Sequence, residues 1–231
     1  MSGEMLSGPH GFGLDSDALA GLAREISGAV SAGAQIGVVV GAGNIVRGAG
    51  PNATKLAVRK QSLDTMGMLA TAINATALAD TLRGCGLGGV HYSTLPGVPF
   101  SSPFDSDEAD SLLRDGKVVV FSGGTGLPFF STDTAAAVRA LQIGAEALLK
   151  GTQVDGVFDR DPRKPGAEPA RLLQTVSHRA VLEQGLQVMD PAAVALCAQS
   201  KLPIIVYNAH ISGNLVGVLR GSVLASAIET L

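Results

Sequence analysis

Apolar positions along the chain alternate between two periods. Over residues 15–30, Leu19, Leu22, Ala23, Ile26 and Val30 recur at helical spacing behind the candidate caps Asp15, Ser16 and Asp17, which predicts an amphipathic helix. Ile36-Gly37-Val38-Val39-Val40 then runs apolar, β-branched and uncharged, the pattern of a strand buried on both faces of a parallel sheet. Gly41-Ala42-Gly43-Asn44 forms a turn after it, and a polar stretch covers 49–61. Residues 64–82 predict a second helix, apolar nearly all round through Met66, Met68, Leu69, Ile73 and Leu78. Such a helix is expected to be covered on more than one side, within the domain or by another subunit. Val90-His91-Tyr92 starts a further strand, 96–107 is rich in turn residues, and 108–114 predicts a short helix.

The alternation then recurs. Lys117-Val118-Val119-Val120-Phe121 reads as a strand, Ser122-Gly123-Gly124-Thr125-Gly126 as the turn behind it. Thr132 or Asp133 is expected to cap a helix reaching about 144. Further on, 147–150 predicts a strand, 151–169 a loop, 176–184 and 192–200 helices, 202–207 a buried strand and 223–228 a weaker one. Strands alternating with helices predict an α/β domain with a mainly parallel sheet and right-handed crossovers. Without an internal repeat or a long linker, a single domain over 1–231 is expected. Ligands of such sheets lie where the carboxyl ends of strands meet loops, and both glycine turns fall at that end.

Composition trims the options. Hydrophobic residues are 46% of the 231 and the formal net charge is −3, so neither a disordered chain nor a dedicated nucleic-acid binder is expected. Two cysteines, Cys85 and Cys197, are too few for a disulfide framework or a four-thiolate zinc site. The four histidines show no metal-ligand spacing, and no metal site is assigned. With no apolar run near ~20 residues and no leader-like start, a cytoplasmic protein is expected. Thirty glycines with 4% aromatics and no Trp point to tight turns and close backbone approaches.

Three constellations carry candidate chemistry. Gly41-Ala42-Gly43-Asn44-Ile45-Val46-Arg47 follows a strand, so backbone N–H groups there can close on a phosphate and Arg47 can add a bidentate charge. The turn lacks the third glycine of a dinucleotide fingerprint, and the chain has no P-loop. Phe121 through Asp133 holds three glycines, four hydroxyls and a Pro-Phe-Phe wedge before a helix N-terminus, a natural seat for a phosphate. The bland alternative is capping by Thr132 and Asp133 with the Phe pair in the core. Lys150 through Pro162 offers Phe158 as an apolar face for a base, with Asp155 and Asp161 for ribose hydroxyls or loop ordering; composition alone makes it a turn.

Taken in order, several motifs resemble one family. These are Ser2-Gly3-Glu4, Gly43-Asn44-Ile45 with Arg47-Gly48, and Asp64 ahead of Met66-Gly67-Met68-Leu69-Ala70-Thr71. Gly124-Thr125-Gly126 with Pro128-Phe129-Phe130, Thr132-Asp133, Val154-Asp155-Gly156-Val157, Asp161-Pro162 and Val188-Met189-Asp190 follow. Together they resemble the bacterial-type uridylate (UMP) kinases of the amino-acid-kinase fold, over essentially the whole chain. The resemblance implies a three-layer αβα sandwich and transfer of a phosphoryl group from ATP to UMP, with Mg²⁺, in pyrimidine nucleotide biosynthesis. It implies Arg47 and Asp133 as catalytic residues. UMP contacts would come from Ala42, Asp64, Thr125, Gly126, Leu127, Pro128, Phe129, Phe130, Ser131 and Thr132. ATP contacts would come from Ser2, Gly3, Gly43, Arg47, Thr152, Phe158 and Asp161. A homohexamer activated by GTP and inhibited by UTP is implied as well, with no nucleic acid or membrane partner.

The chain departs from the family pattern at named points. The family opens on a strand ending Lys-(apolar)-Ser-Gly-Glu, which this chain meets only at Met1-Ser2-Gly3-Glu4. That implies an upstream start or a fragment, and weak phosphoryl transfer without the lysine. Ala42 replaces a glycine, with crowding or a forbidden positive φ expected. Leu127 replaces an Asn, Gln153 a lysine, and the Gly-Thr-(apolar) ending becomes Gly221-Ser222-Val223-Leu224-Ala225-Ser226. The competing expectations are a nucleotide-binding paralogue without catalysis, and a relative acting on a carboxylate.

Overall fold

The structure is a computed structural model that describes residues 1–46, 56–162 and 169–230. It divides into two compact units, Met1–Ala135 and Ala136–Leu231.

In the first unit, helix α1 (Ser16–Ser31) starts where Asp15 accepts the Ala18 N–H at 2.8 Å, as the sequence predicts. Strand β1 (Gly37–Val39) leads to the first glycine turn. Helix α2 (Lys60–Gly84) begins one turn before the expected Asp64, at Arg59, which makes no side-chain cap. Strand β2 (Gly89–Ser93) follows, and a two-residue strand β3 (Ser102–Pro103) lies inside the stretch expected to be turns. After α3 (Ser106–Arg114), strand β4 (Val118–Ser122) ends at the second glycine turn. These four strands form one sheet in the order β1-β4-β2-β3, parallel throughout. Every residue of β4 is buried, which is why its sequence is an unbroken apolar run. Because β1 and β4 are parallel neighbours, their glycine turns emerge side by side at the same sheet edge.

Helix α4 (Thr132–Gln142) contains the boundary between the units. The second unit has a sheet in the order β5-β9-β10-β8, built from β5 (Leu148–Thr152), β8 (Thr175–Ser177), β9 (Ile204–Asn208) and β10 (Ala225–Glu229). Strand β9 pairs with β10 antiparallel, whereas β5–β9 and β8–β10 are parallel. A small hairpin joins β6 (Val157–Phe158) to β7 (Leu172–Leu173), within or just beyond the span expected to be loop. The helix expected at 176–184 begins two residues late, because Val176 and Ser177 belong to β8. Ser177 accepts the Ala180 N–H at 3.1 Å and so starts α5 (His178–Glu183) only after β8 has ended. Helix α6 (Pro191–Ser200) matches expectation, and α7 (Asn214–Leu219) adds one the pattern did not predict. The core of this unit gathers Val157, Val194, Cys197, Ile204, Val206 and Ile228. Among the described residues no helix is long and apolar enough to cross a membrane.

Candidate functional site

The first glycine turn is locked from beneath. Asn44 and Asn74 of α2 are both buried and exchange amide hydrogen bonds: Asn44 Nδ2 donates to Asn74 Oδ1 at 3.0 Å, and Asn74 Nδ2 to Asn44 Oδ1 at 2.7 Å. The remaining donors reach backbone, Asn74 Nδ2 to Gly41 O and Asn44 Nδ2 to Gly13 O, each at 2.7 Å. A fully satisfied buried amide pair of this kind holds a unique geometry. The N-terminal residues lie along the turn. Met1 donates to Val39 O at 2.8 Å, and Gly41 N–H donates to Met1 O at 2.9 Å. A Cβ on Gly3 would stand 2.5 Å from Asn44 Oδ1 and 2.9 Å from Gly43 N, so only glycine fits there. Ser2 beside it accepts the Glu4 N–H. Gly3 and Gly43 are therefore brought together as the sequence suggests. Ala42 is not among the residues with positive φ, so the forbidden-φ penalty expected of its methyl group does not arise. Arg47 lies outside the described residues.

The second turn is built differently. Gly123, Gly124 and Gly126 all have positive φ, which costs a Cβ-bearing residue ~1–2 kcal/mol. Gly123 N–H donates to Thr71 Oγ1 at 2.8 Å, and Thr71 in turn donates to Met68 O at 2.6 Å. Thr125 Oγ1 accepts the Leu127 N–H and reaches Leu127 O, both at 3.2 Å. Beneath the turn, His91 Nε2 meets Ser122 Oγ at 2.7 Å. Burial, with help from the Arg83 charge, lowers the His91 pKa to about 4, so this histidine is neutral at pH 7.

Beyond the turn, Leu127, Phe129 and Phe130 are exposed, Phe129 by 70% and Phe130 by 52%. The alternative that the Phe pair fills the core is thereby excluded. Phe129 holds φ at 73°, a strained value for an aromatic residue. Its N–H donates to Asp64 Oδ2 at 3.0 Å, and Lys60 bonds the other carboxylate oxygen. Burial alone would raise the Asp64 pKa, but the Lys60 and Phe129 hydrogen bonds and the Lys60 charge bring it below the usual carboxylate range. An ionised carboxylate, two exposed rings and a polar turn thus share one rim.

The cap of α4 is Ser131, whose Oγ accepts the Thr134 N–H at 3.2 Å. The expected caps, Thr132 and Asp133, instead occupy the first turn of the helix, because Ser131 already supplies the oxygen that turn requires. The N-terminus of α4 thus lies directly beyond the Pro128-Phe129-Phe130 segment in the chain, with Asp133 in its first turn.

In the second unit, Thr152 Oγ1 donates to Val154 O at 2.7 Å and pins the end of β5. Phe158 is half-buried on the β6–β7 hairpin, and Asp161 lies just beyond it. Asp155 accepts from Asn208 Nδ2 at 3.1 Å, and Ser226 Oγ accepts the Val157 N–H at 2.8 Å. Ser226, within the altered C-terminal ending, is fully buried and anchors the loop that carries Phe158. Thr71, within the Met66–Thr71 motif, Asn74 and His91 carry no assigned role in the sequence reading. Their signal was a polar residue standing alone in an apolar segment.

Comparison with known proteins accords with this architecture. The profile of the Amino acid kinase family matches residues 3–208. The chain is 46% identical to the uridylate kinase of Brucella anthropi over 221 residues, 95% of this chain and 90% of that one. Among solved structures, the UMP kinase from Bacillus anthracis superposes with a TM-score of 0.91 at 30% identity, covering 99% of this chain and 93% of that one. The UMP kinase from Ureaplasma parvum gives 0.88 at 29% identity, covering 99% and 96%. The α/β architecture implied by the motifs is thus the amino-acid-kinase fold, and this chain belongs to the amino acid kinase family.

Proposed function

We propose that this chain is a uridylate kinase, transferring the γ-phosphoryl group of ATP to UMP and releasing UDP and ADP. The observation that carries the reading is the open cradle of residues 123–132, clasped by the ionised Asp64, in a chain 46% identical to a protein named uridylate kinase. Phosphoryl transfer asks the protein for little covalent chemistry, so positioning and charge neutralisation are most of its task.

In this reading Asp64 takes the ribose hydroxyls of UMP, while Leu127, Pro128, Phe129 and Phe130 face the uracil. Thr125, Gly126, Ser131 and Thr132, with the positive end of α4, take the UMP phosphate, and Ala42 flanks it. Gly43, Ser2 and Gly3 attend the transferring phosphate, and Arg47 and Asp133 are the catalytic pair. Thr152, Phe158 and Asp161 hold the ATP nucleoside. Mg²⁺ enters with the substrate as MgATP, a role in which it keeps several waters and needs few protein carboxylates. Among the described residues no group of three His, Cys, Asp or Glu is placed to hold an ion by itself. A cytoplasmic setting in pyrimidine biosynthesis, a hexamer of this chain, and GTP and UTP as effectors complete the proposal; these rest on the family resemblance.

The test is ADP release coupled to a chromogenic readout, with UMP, aspartate or N-acetylglutamate as acceptor. UMP-dependent release above both carboxylates is expected. Release driven by a carboxylate in preference to UMP would overturn the reading.

A further inference from the structure

We infer that Thr71 is a positioning residue for the acceptor cradle: its hydroxyl fixes the second glycine turn in the geometry that receives UMP. The inference rests on the reading of 123–132 as the UMP site and assigns a role to a residue outside it.

Strand β4 ends at Ser122, so the Gly123 N–H has left the strand ladder, and φ of +78° turns the chain sharply away. Gly123 is buried, so water does not replace a lost partner. That N–H is satisfied by Thr71 Oγ1, 52 positions earlier in the chain. Thr71 is itself 3% exposed. Its own proton goes to Met68 O, a bond that fixes the hydroxyl rotor and leaves a lone pair facing Gly123. One hydroxyl thus serves once as donor and once as acceptor.

Thr71 belongs to a stripe of α2 that follows the loop. Asp64, Met68 and Thr71 stand at i, i+4 and i+7, on one helix face. Asp64 bonds the Phe129 N–H, and a Cβ on Gly124 would lie 3.5 Å from Met68 Cγ. Thr71 fastens the loop where it leaves the strand, and Asp64 fastens it six residues later. With the first fastening gone, Thr125, Gly126 and the Phe129 N–H are no longer held in register with the Asp64 carboxylate. Thr94 also packs close to the turn, since a Cβ on Gly123 would stand 2.2 Å from Thr94 Oγ1.

The experiment uses the full chain and three variants. Thr71→Val keeps the shape and removes the hydroxyl; Thr71→Ser keeps the hydroxyl and removes a methyl group. UMP and ATP affinities are measured by calorimetric titration, with a thermal melt to establish folding and amide hydrogen exchange at Gly123. T71V is expected to bind UMP at least tenfold more weakly, with ATP affinity within twofold and faster exchange at Gly123. T71S is expected to stay within threefold of the parent for both ligands. Should T71V fail to fold, Thr71→Ala is read in the same way. Unchanged UMP affinity in a folded T71V protein, or equal loss of both nucleotides, overturns the role of Thr71 and leaves the UMP site standing. No UMP binding by the parent chain overturns the site reading and the inference together.

Discussion

Two glycine turns emerge from neighbouring parallel strands, and they use glycine for opposite reasons. In the first turn, Gly41 and Gly43 adopt no positive φ; they are small because the N-terminal residues lie against them. In the second, Gly123, Gly124 and Gly126 all adopt positive φ, and the chain beyond them is an exposed aromatic rim. The first turn is braced from beneath by a buried amide pair and along its length by the N-terminal residues. The second is fastened at two points by α2 and left open between them. The same residue type therefore marks close packing in one place and a receptive loop in the other. The distinction lies in φ and in neighbours distant along the chain.

The contrast is most sharply broken at Gly123→Ala. It combines a positive φ with a Cβ 2.2 Å from Thr94 Oγ1, and a loss of about 2–5 kcal/mol is expected in urea denaturation. The corresponding change in the first turn, Gly43→Ala, meets only the flexible Glu4 side chain at 3.3 Å and should be far milder. Equal losses at both positions would erase the distinction.

Asn74→Leu comes next. It leaves Gly41 O and the Asn44 amide without their buried partner, and destabilisation of about 2–4 kcal/mol is expected from chemical denaturation. A double-mutant cycle with Asn44→Leu should show strong coupling, whereas additivity would mean that the pair does not act as a unit.

These two sites show where the sequence is legible. The buried strands stood out because a parallel sheet demands unbroken apolar runs, and α1 stood out because Asp15 caps an amphipathic period. Asp64, Thr125 and the Pro128-Phe129-Phe130 segment were recognisable as ordered motifs. The roles of Thr71, itself part of a motif, and of Asn74 were not, since Thr71 meets a backbone group 52 residues away and Asn74 one 33 residues away along with the Asn44 side chain, and a polar residue in an apolar helix does not name its partner. The short pairings β3, β6 and β7 escaped for a related reason: two residues hold no period. At 176–184 the apolar content is common to strand and helix, and the Ser177 cap is what separates the two.

Smaller effects sharpen the comparison. Asp64→Asn should weaken UMP about tenfold or more by calorimetry while ATP changes little, because the lost charge lies on the acceptor cradle; equal losses would make Asp64 structural. His91 gives the pH arm. Its pKa is lowered from 6.5 to about 4, so as pH falls through that window the unfolded chain takes up a proton that the folded chain refuses. Stability should be unaffected by His91 above pH 6.5, decline between 6.5 and 4, and level off below. A His91→Gln variant measured by denaturation across that range should lose this slope. Ala42→Gly is expected to be the mildest, within twofold in UMP affinity, since Ala42 occupies an ordinary backbone conformation.

The central claim, that the fastened second turn and its aromatic rim receive UMP, is tested most directly by a crystal structure of the full chain soaked in UMP. The account predicts density with its ribose against Asp64, its base beside Phe129 and Phe130, and its phosphate at the start of α4. Well-ordered UMP bound elsewhere, with the 123–132 cradle empty, would contradict it.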